Sequence, residues 1–290
     1  MTTTERHHDA LIGATCVLVA AVSIQSSAAI GVPAFAAVGA AATSGFRFLF
    51  GAIVITVIAR PSLRGRTRAE WLGVLTFGVA VAAMNLCFFQ AVARLPLGTA
   101  VSIEFLGPFT LAVVAGSGRR HALYAVVGLV GVVLLARPGG GVTFVGALFA
   151  LGAAVGWAAY TLASERLGSV TRGVDGLALA LCVAAVLTAP FSVPEVGSLT
   201  WSLLGRLSSM AVLGVVIGFA LELAALRRLP ASHVAVLFSF NPAIAFAVGW
   251  LVLGQHVSLA ALAGGLCVVA AGVGVTSDAQ RRQAVSLPPA

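Results

Sequence analysis

The stretch RLPLGTAVSIEFLGPFTLAVVAG, residues 94–116, has a counterpart 134 positions further on, RLPASHVAVLFSFNPAIAFAVGW, residues 228–250. Five of the twenty-three aligned positions are identical: Arg94/Arg228, Leu95/Leu229, Pro96/Pro230, Pro108/Pro242 and Val114/Val248. Apolar helices resemble each other by composition, so the spacing of the prolines says more than the count. Each copy opens on Arg-Leu-Pro, and proline suits a first helical position, where its missing N–H would have no partner anyway. In each copy a second proline falls inside the apolar run, where it must interrupt the helical hydrogen bonds.

The surroundings of both copies are apolar. Of the 290 residues 60% are hydrophobic and 9% charged, against about a quarter charged in a soluble domain. Runs long enough to cross a hydrocarbon core of about 30 Å recur along the whole chain. Ten spans are predicted: residues 10–30, 38–58, 71–93, 97–115, 121–136, 142–164, 174–193, 205–226, 231–253 and 258–276. The first could be mistaken for a secretory signal, with Ser27-Ala28-Ala29 near a cleavage point, but its apolar stretch exceeds a signal h-region and is read as a retained helix. Cys16, Cys87, Cys182 and Cys267 all fall inside spans, which argues for buried thiols rather than a disulfide framework.

A net charge of +8 would suggest nucleic acid in a soluble chain. Here the seventeen basic residues, all Arg, are read by loop instead. With an internal N-terminus, thirteen are cytoplasmic (Arg6, Arg60, Arg64, Arg66, Arg68, Arg119, Arg120, Arg166, Arg172, Arg227, Arg228, Arg281 and Arg282). Only Arg94, Arg137 and Arg206 are external, and Arg47 lies within the second span. The asymmetry predicts a multi-pass protein of the cytoplasmic membrane with both termini inside, and removes nucleic acid as a partner. Five spans per copy make the second copy enter the membrane in the opposite sense. The expected fold is thus all-α and integral to the membrane: ten transmembrane helices as two inverted five-helix repeats, residues 1–138 and 139–276, with a cytoplasmic tail, residues 277–290.

Paired, interrupted helices in two inverted halves point to the central site of a transporter. Gly107-Pro108 and Asn241-Pro242 are such a pair. Pro108 has no N–H for the carbonyl four residues back, which belongs to Glu104. Counted from Pro96, Glu104 sits roughly 12 Å into the core, too deep for its side chain to reach the surface.

The segments AVARLPLGTAVSIEFLGPFTLAVV, from Ala91, GWAAYTLASERLG, from Gly156, and ALELAALRRLP, from Ala220, resemble those of the drug/metabolite transporter superfamily, more narrowly the EamA family and its threonine/homoserine exporter branch. The resemblance covers essentially the whole chain. It implies a ten-helix fold of inverted repeats, a bilayer environment and a central path for small metabolites such as amino acids, usually moved outward. Two acidic groups common in that branch are replaced: the ninth span reads Asn241-Pro242-Ala243 instead of Glu-Pro-Ala, and Gly254-Gln255 stands for Gly-Glu. The branch's substrate therefore does not carry over.

Arg47 should cost about 2.5–3.5 kcal/mol at a helix centre and needs a partner, for which Glu104 or Glu222 is the natural choice. A buried structural pair and a grip on a substrate carboxylate explain it equally well. Glu222 lies a turn from Arg227 and Arg228, so an interfacial ion pair competes with a transport role. Asn85, Gln90, Gln25, Ser26, Trp157 and Tyr160 could line a polar path, with interhelical hydrogen bonding or interfacial anchoring as the plainer account. His233 reads as an interfacial histidine. The other histidines show no ligand spacing, so neither metal nor cofactor is expected. Gly128, Gly131, Gly264 and Gly265 suit close helix packing.

Three classes of function follow. A secondary transporter exporting amino acids or amino-acid-like compounds accounts for the repeat and for Glu104, with other small solutes or drug-like compounds as the alternative cargo. An intramembrane enzyme lacks its residues: Asp9, Asp175 and Asp278 lie at or beyond span ends, and Gly116-Ser117-Gly118 sits in a loop. A non-transporting membrane subunit gives no reason for Glu104. The chain has no Lys and no Gly-x-x-x-x-Gly-Lys-[Ser/Thr] loop, so it is not its own ATPase. A homodimer is neither required nor excluded by the sequence.

Overall fold

The computed structural model describes residues 3–115, 119–135, 142–170 and 174–286, so Gly116-Ser117-Gly118, Arg137 and Arg172 lie outside the described residues. The described chain is helical, without a strand. Its helices are α1 (Thr3–Gly31), α2 (Phe35–Ala59), α3 (Arg68–Val92), α4 (Leu97–Glu104), α5 (Leu106–Ala115), α6 (Arg119–Leu135), α7 (Phe144–Val170), α8 (Asp175–Ser192), α9 (Trp201–Ala211), α10 (Gly218–Leu226), α11 (Ala231–Phe238), α12 (Asn241–Leu253) and α13 (Leu259–Ser286). Among the described residues eight stretches are long and apolar enough to cross a membrane; the first, Asp9–Ala59, takes in most of α1 and all of α2. Many large apolar side chains face outward, among them Val57, Val126, Leu129, Leu251 and Leu259. In a bilayer that surface meets lipid tails, so it carries no penalty.

Local chemistry explains the boundaries. Near its start α2 is kinked at Gly39, at φ +75°, a conformation that a side chain would strain. A capping box starts α3: Glu70 N–H donates to the Thr67 hydroxyl at 3.2 Å and Thr67 N–H donates to the Glu70 carboxylate at 2.7 Å. Beside it Arg66 reaches Asp175 at 3.5 Å and Glu70 at 3.8 Å, joining the beginnings of α3 and α8. Arg120 and Tyr124 on α6 likewise hold Asp278 on α13, at 3.9 and 3.3 Å.

Two predicted spans are broken near the prolines, and the break falls earlier than the proline itself. α4 ends at Glu104 and α5 begins at Leu106; α11 ends at Phe238 and α12 begins at Asn241. A proline ring disturbs the turn before it while fitting the first turn of the helix it opens, which is why the chain bends at Phe105 and at Ser239-Phe240. α13 continues ten residues past Thr276 to Ser286, so most of residues 277–290 prolong a helix.

Close packing follows the small residues. A Cβ on Gly107 would lie 2.0 Å from the Ala154 carbonyl oxygen, so α5 meets α7 backbone to backbone. Gly131 and Gly264 bring α6 and α13 together in the same way, each Cβ position falling within 2.8 Å of the other's carbonyl oxygen. Phe246 of α12 fills the notch left by Gly98 on α4 and Gly265 on α13. All four cysteines are free thiols.

Candidate functional site

The polar residues that the apolar spans cannot dissolve gather between the helices. Glu104, the last residue of α4, is 6% exposed and accepts no hydrogen bond from any described residue. Its charge reaches Arg47 of α2 and Cys87 of α3, yet no ion pair within 4 Å forms with Arg47. The adjoining Phe105 packs edge-on against Trp157 of α7, ring centroids 6.0 Å apart, and so fixes the bend that presents the carboxylate.

Arg47 is also buried, and its partner is an amide. Its Nη1 donates to the Asn85 carbonyl oxygen, and its guanidinium lies over the Phe89 ring at 5.6 Å. Asn85 Nδ2 donates to the Val81 carbonyl at 3.1 Å, which turns the amide oxygen toward Arg47. Neither Glu104 nor Glu222 takes the place that the sequence suggested for an acid. A hydrogen bond to a charged group contributes about 1.5–3 kcal/mol, comparable to the insertion cost, so the amide suffices to keep the cation in place.

In the second half Asn241, at the start of α12, is 3% exposed and accepts from Gln25 Nε2 at 3.5 Å. Pro242 is buried beside it. Among the described residues four buried side-chain polar atoms have no hydrogen-bond partner: Gln25 Oε1, Ser44 Oγ, Arg47 Nε and Thr99 Oγ1. Ser44 lies about one turn from Arg47 on α2, and Thr99 lies on α4, the helix that ends at Glu104. Buried polar atoms are rarely left unpaired; these lie on α1, α2 and α4.

Gln90 belongs to another level. Its Oε1 accepts from Arg94 at 2.5 Å, and Arg94 in turn covers the Phe149 ring at 5.0 Å. Both line an open groove of about 640 Å³, with Phe35, Gly39, Ala42 and Phe191, where α2 begins and α3 and α8 end. Asn85 is five residues along α3 from Gln90, or about 7.5 Å deeper. Toward the opposite end, Tyr160 packs at a tilt on Phe77, ring centroids 5.0 Å apart. Glu222 makes no ion pair with Arg227 or Arg228; Arg228 donates to the Ala224 carbonyl instead. Trp157 and Tyr160 therefore pack on rings within the bundle instead of anchoring at an interface, and His233 is exposed.

Two features were not legible in the sequence. Between α9 and α10 the segment Val212–Ile217 is a π-helical turn. Ser23 and Ser27 of α1 donate to the carbonyls of Leu213 and Met210, at 2.8 and 2.7 Å, and secure it. A serine pair four apart in an apolar span was the available signal. Gln255, noted only for standing where an acid is usual, accepts the Leu97 N–H at 3.0 Å and caps the start of α4. A neutral amide can do this because a helix N-terminus needs only an acceptor.

Comparison with known proteins agrees with this architecture. The EamA-like transporter family model matches residues 144–277. Threonine/homoserine exporter RhtA of Salmonella typhimurium (strain LT2) is 31% identical over 271 residues, 91% of this chain and 91% of its own length. The protein of the same name from Escherichia coli (strain K12) is 30% identical over 275 residues, 92% of each. Uncharacterized transporter YvbV of Bacillus subtilis (strain 168) is 25% identical over 264 residues. One crystal structure of a protein shares the fold with a TM-score of 0.63, at 21% identity over 96% of this chain and 99% of that one. Matched over nine-tenths of its length at 30% identity, this chain belongs to the EamA-like transporters of the drug/metabolite transporter superfamily, in the branch that resembles the threonine/homoserine exporters.

Proposed function

We propose that the protein is a secondary transporter that exports small metabolites, amino acids or amino-acid-like compounds first, across the cytoplasmic membrane, with Glu104 as the group that binds a cationic moiety or a proton. The observation that carries this reading is the Glu104 carboxylate itself, 6% exposed at a helix break and without a hydrogen-bond partner. Intramembrane acids held apart from structural partners serve substrate and ion pathways. The names of the relatives support export and amino-acid cargo. Direction and cargo are carried over by that analogy. No residue set suggests an enzyme.

The same reading includes ten membrane crossings, both termini in the cytoplasm, and two inverted repeats, residues 1–138 and 139–276. Helix pairing supports it. α3 packs along α7 as α1 packs along α9 and α10, while α2–α8, α4–α12 and α6–α13 pair across the halves. Exchanging the halves leaves that pattern unchanged, as a two-fold relation requires. Gln90, Asn85, Arg47, Glu104, Trp157, Tyr160 and Glu222 then follow one another from the open groove toward the opposite end as a polar path, with Pro108, Asn241 and Pro242 shaping its middle.

Counterflow in proteoliposomes with a panel of labelled amino acids tests the reading. Exchange of at least one amino acid above protein-free vesicles is expected. No exchange of any of them, with robust flux of another solute, would replace the cargo class.

A further inference from the structure

Arg47 is a positive charge that forms no ion pair within 4 Å among the described residues. Its described contacts are the Asn85 amide, the Phe89 ring and the backbone of α10's preceding turn. A Cβ on Gly214, inside the π-helical turn, would meet Ser27 Oγ and would lie 2.6 Å from Arg47 Nη2. The guanidinium is thus flush against a turn that only glycine leaves open. Ser23 and Ser27 hold that turn from the α1 side through the carbonyls of Leu213 and Met210. Turns of this kind occur often at functional sites.

A guanidinium presents five donors in a planar fork that matches a carboxylate. Here one donor is committed to Asn85, and Nε, buried, has no partner. Glu104 is within electrostatic reach but forms no ion pair within 4 Å. The two opposite charges are thus held apart in an apolar bundle. A simple anion would satisfy Arg47 and be repelled by Glu104, and a simple cation would do the reverse. A solute carrying both charges satisfies both.

We propose that Arg47, with Asn85 orienting it and the Gly214 turn facing it, is a carboxylate-binding subsite, and that the cargo is a zwitterion whose carboxylate meets Arg47 and whose ammonium meets Glu104. This rests on the reading of Glu104 as the transport carboxylate. Gly214 is the specificity-determining position, because a methyl group there crowds the fork, along with the Ser27 hydroxyl, without altering any charge.

The test is counterflow of one exchanged amino acid against its carboxamide, which keeps the ammonium and the side chain but loses the negative charge. The wild-type protein should prefer the acid by about tenfold or more, the value of a charged hydrogen bond. Gly214→Ala should lower flux of the acid and leave that of the amide nearly unchanged, collapsing the preference. Arg47→Gln should do the same where it accumulates, and Gly214→Ala carries the test where it does not. Equal flux of acid and amide in the wild type overturns the subsite while leaving transport standing. Equal losses for both in Gly214→Ala reduce the turn to packing and overturn it too. Exchange of neither compound, nor of any other amino acid, removes the transport reading and the subsite together.

Discussion

The two broken helices have nearly the same backbone and different chemistry. Pro96 before α4 has φ −55° and ψ 141°, and Pro230 before α11 has φ −55° and ψ 143°. At the bends Phe105 has φ −61° and ψ −17°, and Ser239 has φ −62° and ψ −16°. Yet the residue before the first bend is Glu104, and the one before the second is Phe238. After the bends stand Gly107 in the first half and Asn241 in the second. Proline spacing shapes the backbone twice, whereas the charge is installed once. Such an arrangement separates what the fold needs from what the site needs.

The comparison is broken most severely at the position after the bend. Gly107→Ala drives a methyl group toward a backbone oxygen at 2.0 Å. Overpacking costs about 1–3 kcal/mol where neighbours can shift, and a helix backbone shifts least. Loss of most accumulated protein is expected on a membrane immunoblot. At the matching position Asn241→Ala gives up one long hydrogen bond, about 0.6 kcal/mol, so accumulation should stay near wild type.

Next come the prolines. Pro108→Ala should let α4 and α5 run together and turn Glu104 away from its position, with flux falling about tenfold while membrane insertion stays normal. Pro242→Ala straightens the helix that carries only a neutral amide, and its flux should fall less. Equal effects of the two substitutions would mean that both bends serve packing alone. The smallest effect is at the cap. Gln255→Ala removes the acceptor for the Leu97 N–H and should cost about 1 kcal/mol, read as a melting temperature a few degrees lower in detergent.

Composition and apolar run length made the helices legible, since each predicted span falls on a helix or a broken pair, and the prolines made the breaks legible to within three residues. Glu104 and Arg47 stood out because charges are costly among apolar residues. Their partners did not, because Asn85 and Phe89 approach Arg47 through tertiary packing that no local pattern encodes. The π-helical turn was hidden for the same reason, being secured by serines 183 and 190 positions away in the chain. Gln255 was read for the acid it replaces, and its role emerged only from the helix end it meets.

The central claim is that the first bend holds the transport carboxylate. Flux through Glu104→Gln, measured in proteoliposomes across pH beside a quantified amount of inserted protein, tests it most directly. Glu104 accepts no hydrogen bond and makes no close ion pair, so the variant should accumulate normally, lose its flux and show no dependence on pH. Wild-type flux with normal accumulation would contradict the claim, and failure to accumulate that Arg47→Met repairs would make Glu104 the structural counter-charge of Arg47 instead.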